Sequence, residues 1–156
     1  MAEEWHESVC VDNVITYLNT DLDLVSEGDL TALAAAFEAG AVRASHVTQV
    51  DGGLWYATFN TDEQHTEPEP NISAMIAVIE SLSESFRSDW DRSQMREFNI
   101  GYDCGAEPWS FNHGLSASIL GRIAAANASL RITLYPDRTP TNAHYSLPAD
   151  PDPHAA

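Results

Sequence analysis

The groups in this chain with most capacity for chemistry are its carboxylates, and two of them stand two residues apart in Asp21-Leu22-Asp23-Leu24. In an extended segment residues i and i+2 share a side, so Asp21 and Asp23 could ligate calcium or divide the roles of acid and base. A calcium loop of the helix–loop–helix kind needs further oxygen ligands and a terminal Glu in register, and these are missing. A solvated acidic face is the simpler reading. The six histidines (His6, His46, His65, His113, His144 and His154) are scattered, with no pair at a ligand-like spacing. His113 stands out only by its place in the aromatic, Gly-bounded stretch Trp109-Ser110-Phe111-Asn112-His113-Gly114. Cys10 and Cys104 form no CxxC pair. They read as two free thiols in a reducing compartment, with a disulfide between them left open. No phosphate loop, dinucleotide glycine fingerprint, nucleophile elbow or zincin helix occurs. The expectation is a protein with no catalytic residues, no metal site and no cofactor.

Charge says more than any motif. The chain carries 24 acidic residues against 7 basic ones, every one of them Arg. Residues 1–70 hold fourteen Asp or Glu and a single base, Arg43, whereas from residue 108 onward Asp137, Asp150 and Asp152 face Arg122, Arg131 and Arg138. An N-terminal half of this kind repels a phosphate backbone, so no nucleic-acid partner is expected. A basic protein would instead be drawn in by long-range attraction. Asp21, Asp23, Glu27 and Asp29 are the candidate contact patch. Trp109 is the candidate anchor, because Trp is common among interface hot spots; the alternative is that Trp109 and Phe111 pack on the sheet. Solubility, or adaptation to a salt-rich cytoplasm, accounts for the acidity equally well.

These residues need elements to position them. A length of 156 residues suits one domain with a proper core. No apolar run reaches the roughly 20 residues of a membrane span, and the acidic opening Met1-Ala2-Glu3-Glu4 is unlike a secretory signal, so no membrane is expected and the chain reads as cytoplasmic. Val9 to Leu18 reads as a strand and Asn19 to Ser26 as an acidic connection. Ser26 is placed to cap a helix that presents Leu30, Leu33, Ala34 and Phe37 and stops at Gly40. Val42 to Val50 and Leu54 to Phe59 form a hairpin around Asp51-Gly52-Gly53, the second strand covered on both faces or edging a groove. Asn60 to Pro70 is a loop. Asn71 caps a long helix with a stripe of Ile72, Met75, Ile76, Ile79, Leu82 and Phe86. Glu97 to Asp103 is a strand. A helix from Leu115 or Ser116 buries Ile119, Leu120 and Ile123. A last strand alternates Leu130, Ile132 and Leu134 with Arg131, Thr133 and Tyr135, and ends at Pro136. The order βαββαβαβ predicts an α+β domain, a mostly antiparallel sheet against two or three helices. Residues 1–8 form a flexible N-terminus, 9–136 the single domain and 137–156 a mobile tail.

Residues 98–135, running from Phe98-Asn99-Ile100-Gly101-Tyr102-Asp103 through Ile119-Leu120-Gly121-Arg122-Ile123-Ala124 to Leu130-Arg131-Ile132-Thr133-Leu134-Tyr135, together with Trp55, resemble an uncharacterised bacterial family, domain of unknown function 4279. That family is similar in character to small immunity proteins that stand beside polymorphic toxins. The resemblance implies a binding protein that neutralises a cognate basic toxin, with no catalytic residue to carry over. A small enzyme or ligand-binding domain with a cleft of dispersed polar residues is the rival. An acidic structural module of a salt-adapted organism is the third reading.

Overall fold

The computed structural model describes residues 13–50 and 52–136. Five strands and four helices follow in the order β1 (Thr16–Ser26), α1 (Thr31–Glu38), β2 (Val42–Gln49), β3 (Trp55–Thr61), α2 (Pro68–Ser81), α3 (Glu84–Arg92), β4 (Met95–Asp103), α4 (Ala117–Ala125) and β5 (Ser129–Tyr135). The strands make one sheet in the order β2-β3-β1-β4-β5. Every neighbouring pair is antiparallel except β4 with β5, which run parallel across the α4 crossover. This is the α+β architecture that the patterning predicts. The flexible N-terminus expected at 1–8, the tail expected at 137–156, and Cys10 lie outside the described residues.

The central strand is where the expectation fails. Asn19 to Ser26 is not a connection but most of β1, the longest strand. Thr20, Leu22, Leu24 and Ser26 are buried towards the helices, and Asp21 and Asp23 alternate with them on the opposite side. The acids do not break the strand, because a residue on an open face keeps its charge in water. Of the first strand expected at Val9 to Leu18, Thr16 to Leu18 belong to β1 and Val14 makes an isolated bridge to Glu107, while residues 9–12 lie outside the described residues.

The helices cover one face only. Leu33, Ala34 and Phe37 of α1, the Ile72–Met75–Ile76–Ile79 stripe of α2, Trp90 of α3, and Ile119 and Ile123 of α4 enter one core cluster with Leu22, Leu24, Phe59, Phe98 and Ile100 of the sheet. The long helix expected through Phe86 is two helices, making four in all. Leu82 and Ser83 turn extended between them. The carbonyls freed at the end of α2 are taken up locally: Ser81 Oγ donates to Val78 O at 2.8 Å and Arg87 Nη2 donates to Ile79 O at 2.6 Å. The bend swings Trp90 inward, where it lies against Phe37 with ring centroids 6.1 Å apart and donates from Nε1 to Ala126 O at 3.0 Å. Phe86 is half-buried at the rim of that core.

Several expected caps resolve differently. α1 begins at Thr31, with Asp29 Oδ1 accepting from Thr31 N at 2.7 Å, while Ser26 Oγ accepts from Gly28 N. α2 begins at Pro68, three residues before the expected cap, because proline suits a first helical turn whose N–H groups have no partner. Asn71 is therefore a buried residue inside the helix. Ser116 does cap α4, accepting from Ile119 N at 3.2 Å. Leu120, expected in the core, is 45% exposed. The β2–β3 hairpin forms with Gly52 and Gly53 at φ +102° and +85°, values that L side chains rarely adopt.

Candidate partner-binding face

With all helices on one side, the described residues leave the other face of the sheet bare. Strand alternation populates it, and register aligns its side chains in rows. One row runs from Arg43 to Asn60, passes to Asp21 through the Asn60 side-chain amide rather than through ladder pairing, and continues to Asn99 and Arg131. The next runs His46, Thr58, Asp23, Glu97 and Ser129. Carboxylates thus occupy the middle of the face and arginines its margins.

These groups hold one another in place. Asp21 Oδ1 accepts from Asn19 Nδ2 at 2.8 Å and from Asn60 Nδ2. Asp23 Oδ1 accepts from Thr58 Oγ1 at 2.7 Å. Glu97 Oε2 accepts from Ser129 Oγ at 3.0 Å, and the Arg131 guanidinium lies 2.5 Å from Glu97 Oε1, close enough for ion pairing though outside hydrogen-bond alignment. Asn99 Oδ1 accepts from Thr133 Oγ1 at 2.6 Å. Gly101 completes the arrangement, since a Cβ there would stand 2.9 Å from Asn19 Oδ1 at the bulge of β1. Partial burial raises the pKa of Asp21 above the ordinary aspartate value. The Asn60 amide opposes this, the neighbouring Asp23 charge adds to it, and the Asn19 amide again opposes it.

At one end of the face β1 and β3 part company. Their pairing stops at Leu22 and Phe59, and Gln64 Nε2 donates to Leu18 O at 3.0 Å where a ladder bond would otherwise lie. The gap is a polar cleft of about 380 Å³ lined by Asn19, Thr20, Arg43, Asn60, Asp62 and Gln64, among others. Behind it a buried relay ties β1, β3 and α2. Thr61 Oγ1 donates to Asn71 Oδ1 at 2.8 Å, Asn71 Nδ2 donates to the Tyr17 hydroxyl at 2.6 Å, and that hydroxyl meets Thr20 Oγ1 at 2.8 Å. Burial raises the Tyr17 pKa, so the phenol stays protonated and able to donate. Among the described residues, Arg87, Arg92, Arg96, Arg122 and Arg131 each hold a partner, while Arg43 at the cleft has none there.

The sequence-derived candidates fall into three places. Asp21 and Asp23 sit together at the centre of the bare face. Glu27 and Asp29 lie just beyond the end of β1, in a concavity of about 290 Å³ shared with Asp89, Arg92 and Gln94. There Glu27 accepts from Gln94 Nε2 at 2.8 Å, and the bond from Thr31 lowers the Asp29 pKa. Trp109 is 97% exposed in the loop after β4, and so is not packed on the sheet; Phe111 of the same loop does pack, edge-on to Tyr102 with centroids 5.3 Å apart. β4 ends beside the start of β1, where Asp103 pairs with Thr16. Trp109 and Glu27 thus stand near opposite ends of an 11-residue strand, roughly 35 Å at the usual strand rise. His113 Nδ1 lies 2.8 Å from the Tyr102 hydroxyl, which anchors the loop.

Sequence reasoning missed Asn60, Glu97 and Asn99 as members of this face. Alternation within each strand would have put them on a side, but only register brings them to Asp21. Among the described residues, no group of three or more His, Cys, Asp or Glu side chains is placed to hold a metal ion. No described helix is long and apolar enough to cross a membrane. No family model matches the chain, and no curated protein or solved structure matches it.

Proposed function

We propose that this chain is an immunity-type binding protein that neutralises a cognate basic bacterial toxin by occluding it, in the cytoplasm and without chemistry of its own. The observation that carries the reading is the bare sheet face with Asp21, Asp23 and Glu97 fixed at its centre. Carboxylates held by amides and hydroxyls are ordered before any partner arrives, which lowers the cost of docking. A half-buried Asp21 whose ionised form is disfavoured is a feature that stability alone does not explain.

The test is surface-based kinetics against the toxin encoded by a neighbouring gene, at two salt concentrations. Changing Asp21, Asp23, Glu27 and Asp29 together to Asn or Gln should slow association about tenfold at low salt and flatten its salt dependence. Trp109→Ala should mainly shorten the lifetime of the complex. An association rate that ignores the four substitutions at low salt removes the patch from the interface. If no neighbouring toxin binds, the inhibitor reading goes with it. The Arg43 cleft favours a second reading, a pocket for a small polar ligand bearing a carboxylate. Stabilisation by such a ligand that Arg43→Ala abolishes would support it.

A further inference from the structure

The free edge of β5 differs in kind from the acidic face. Ile132 and Leu134 point to the helix side, as do their neighbours Ile100 and Tyr102 on β4, yet they are 61% and 62% exposed. Leu120 of α4, the helix that leads into β5, is exposed as well. Ile119 turns into the core and Arg122 reaches α2 through Glu80 and Ser73, so Leu120, about 100° round from Ile119, lies on the side of α4 away from α2. Among the described residues β5 pairs with β4 alone, so its outer backbone groups have no strand partner. An exposed apolar edge strand is a template for further pairing.

Charge selects the occupant. Residues 108–136 contain no Asp or Glu, and the two arginines there, Arg122 and Arg131, are already paired with Glu80 and Glu97. A basic partner finds nothing to attract it at this edge. A second copy of this acidic chain finds there a surface free of acids, and the C2 arrangement, commonest among homo-oligomers, is self-complementary. We propose that the chain forms a homodimer through β5, the two strands pairing antiparallel about Ile132. Ile132 then meets its own copy, Leu130 meets the partner's Leu134, and Arg131 faces the partner's Thr133 rather than another charge. The two sheets join into one, with both acidic faces on the same side.

Sedimentation equilibrium on the full chain, from roughly 1 to 100 µM, tests this. The expected result is a dimer that tightens with added salt, since salt screens the mutual repulsion of two acidic chains. Toxin binding, by contrast, should weaken with salt. Ile132→Glu and, separately, Leu134→Glu should each weaken the dimer at least about a hundredfold, with far-UV circular dichroism unchanged. A monomer at every concentration and both salts overturns the proposal, as does a dimer that both substitutions leave intact. Should either variant fail to fold, hydrogen exchange on the unaltered chain decides: protection of residues 129–135 must rise with concentration. Protection independent of concentration assigns the edge to residues 1–12 or 137–156 and also overturns it.

Discussion

Trp90 is fully buried, and it joins three elements at once: it belongs to α3, lies against Phe37 of α1 and donates to the Ala126 carbonyl at the end of α4. Truncation should therefore act through two separable losses. A large-to-small change at a buried Trp costs about 3–5 kcal/mol. Leaving the Ala126 carbonyl without a donor adds about 1–3 kcal/mol. Together these approach the whole stability of an ordinary domain, about 5–15 kcal/mol, so Trp90→Ala should be largely unfolded or nearly so. Trp90→Phe is the more informative change. It keeps a ring against Phe37 and removes the indole N–H, and should cost about 1–3 kcal/mol. Urea titration followed by far-UV circular dichroism measures both, since that signal does not depend on the tryptophan being replaced. A cost below about 0.5 kcal/mol for Trp90→Phe would refute the role of the Ala126 bond. A cost below about 2 kcal/mol for Trp90→Ala would refute the burial itself.

Two further outcomes follow from carboxylates whose pKa moves in opposite directions. The folded state raises the Asp21 pKa, so it binds that proton more tightly than the unfolded chain does. Stability is lost as pH rises through this range, and the ionised group is a net cost at neutral pH. Asp21→Asn, which keeps an acceptor for Asn19 and Asn60, should raise Tm at pH 7 and do so less near pH 3.5; destabilisation at pH 7 would contradict this. Glu69 moves the other way, because its carboxylate accepts from Ser116 Oγ at 2.5 Å and Ser116 N at 3.0 Å, tying α2 to α4. Its contribution is present above the unfolded Glu pKa and is lost as pH falls through the lower folded one. Ser116→Ala should cost about 0.5–2 kcal/mol at pH 7, and less in acid; a cost that does not change with pH would mean that the cap acts without Glu69.

Legibility tracked how local each signal was. The α2 stripe, the Gly52-Gly53 hairpin, the Ser116 cap and the alternation of β5 depend on neighbours within a few residues, and a single sequence displays them. β1 is hard to read as one strand because Asp21 and Asp23 give Asn19 to Ser26 the look of a connection, although Leu22 and Leu24 alternate with them. The α2–α3 break escaped because Leu82 and Phe86 continue the apolar spacing across it. Trp90 was hidden among Ser88, Asp89, Asp91 and Arg92, and only the bend at Ser83 turns it inward. Leu120 directly follows Ile119 in α4, and the helical turn between them carries it away from the core that Ile119 and Ile123 enter. Of the candidate face, the Asp21–Asp23 pair was visible; its union with Asn60, Glu97 and Asn99 depends on register across strands distant in sequence, which patterning does not encode.

The position of β1 also bears on how the chain is assembled during synthesis. As the middle strand it is made early, but it can zip to β3 only after the β2–β3 hairpin exists, and to β4 only after α2 and α3 have followed. Until then Leu22 and Leu24 have no complete core to enter. Contacts this distant in sequence slow folding and leave a half-formed sheet open to wrong pairings. Asp21 and Asp23 interrupt the apolar run of that waiting strand, and charges so placed disfavour the pairing of one exposed strand with another.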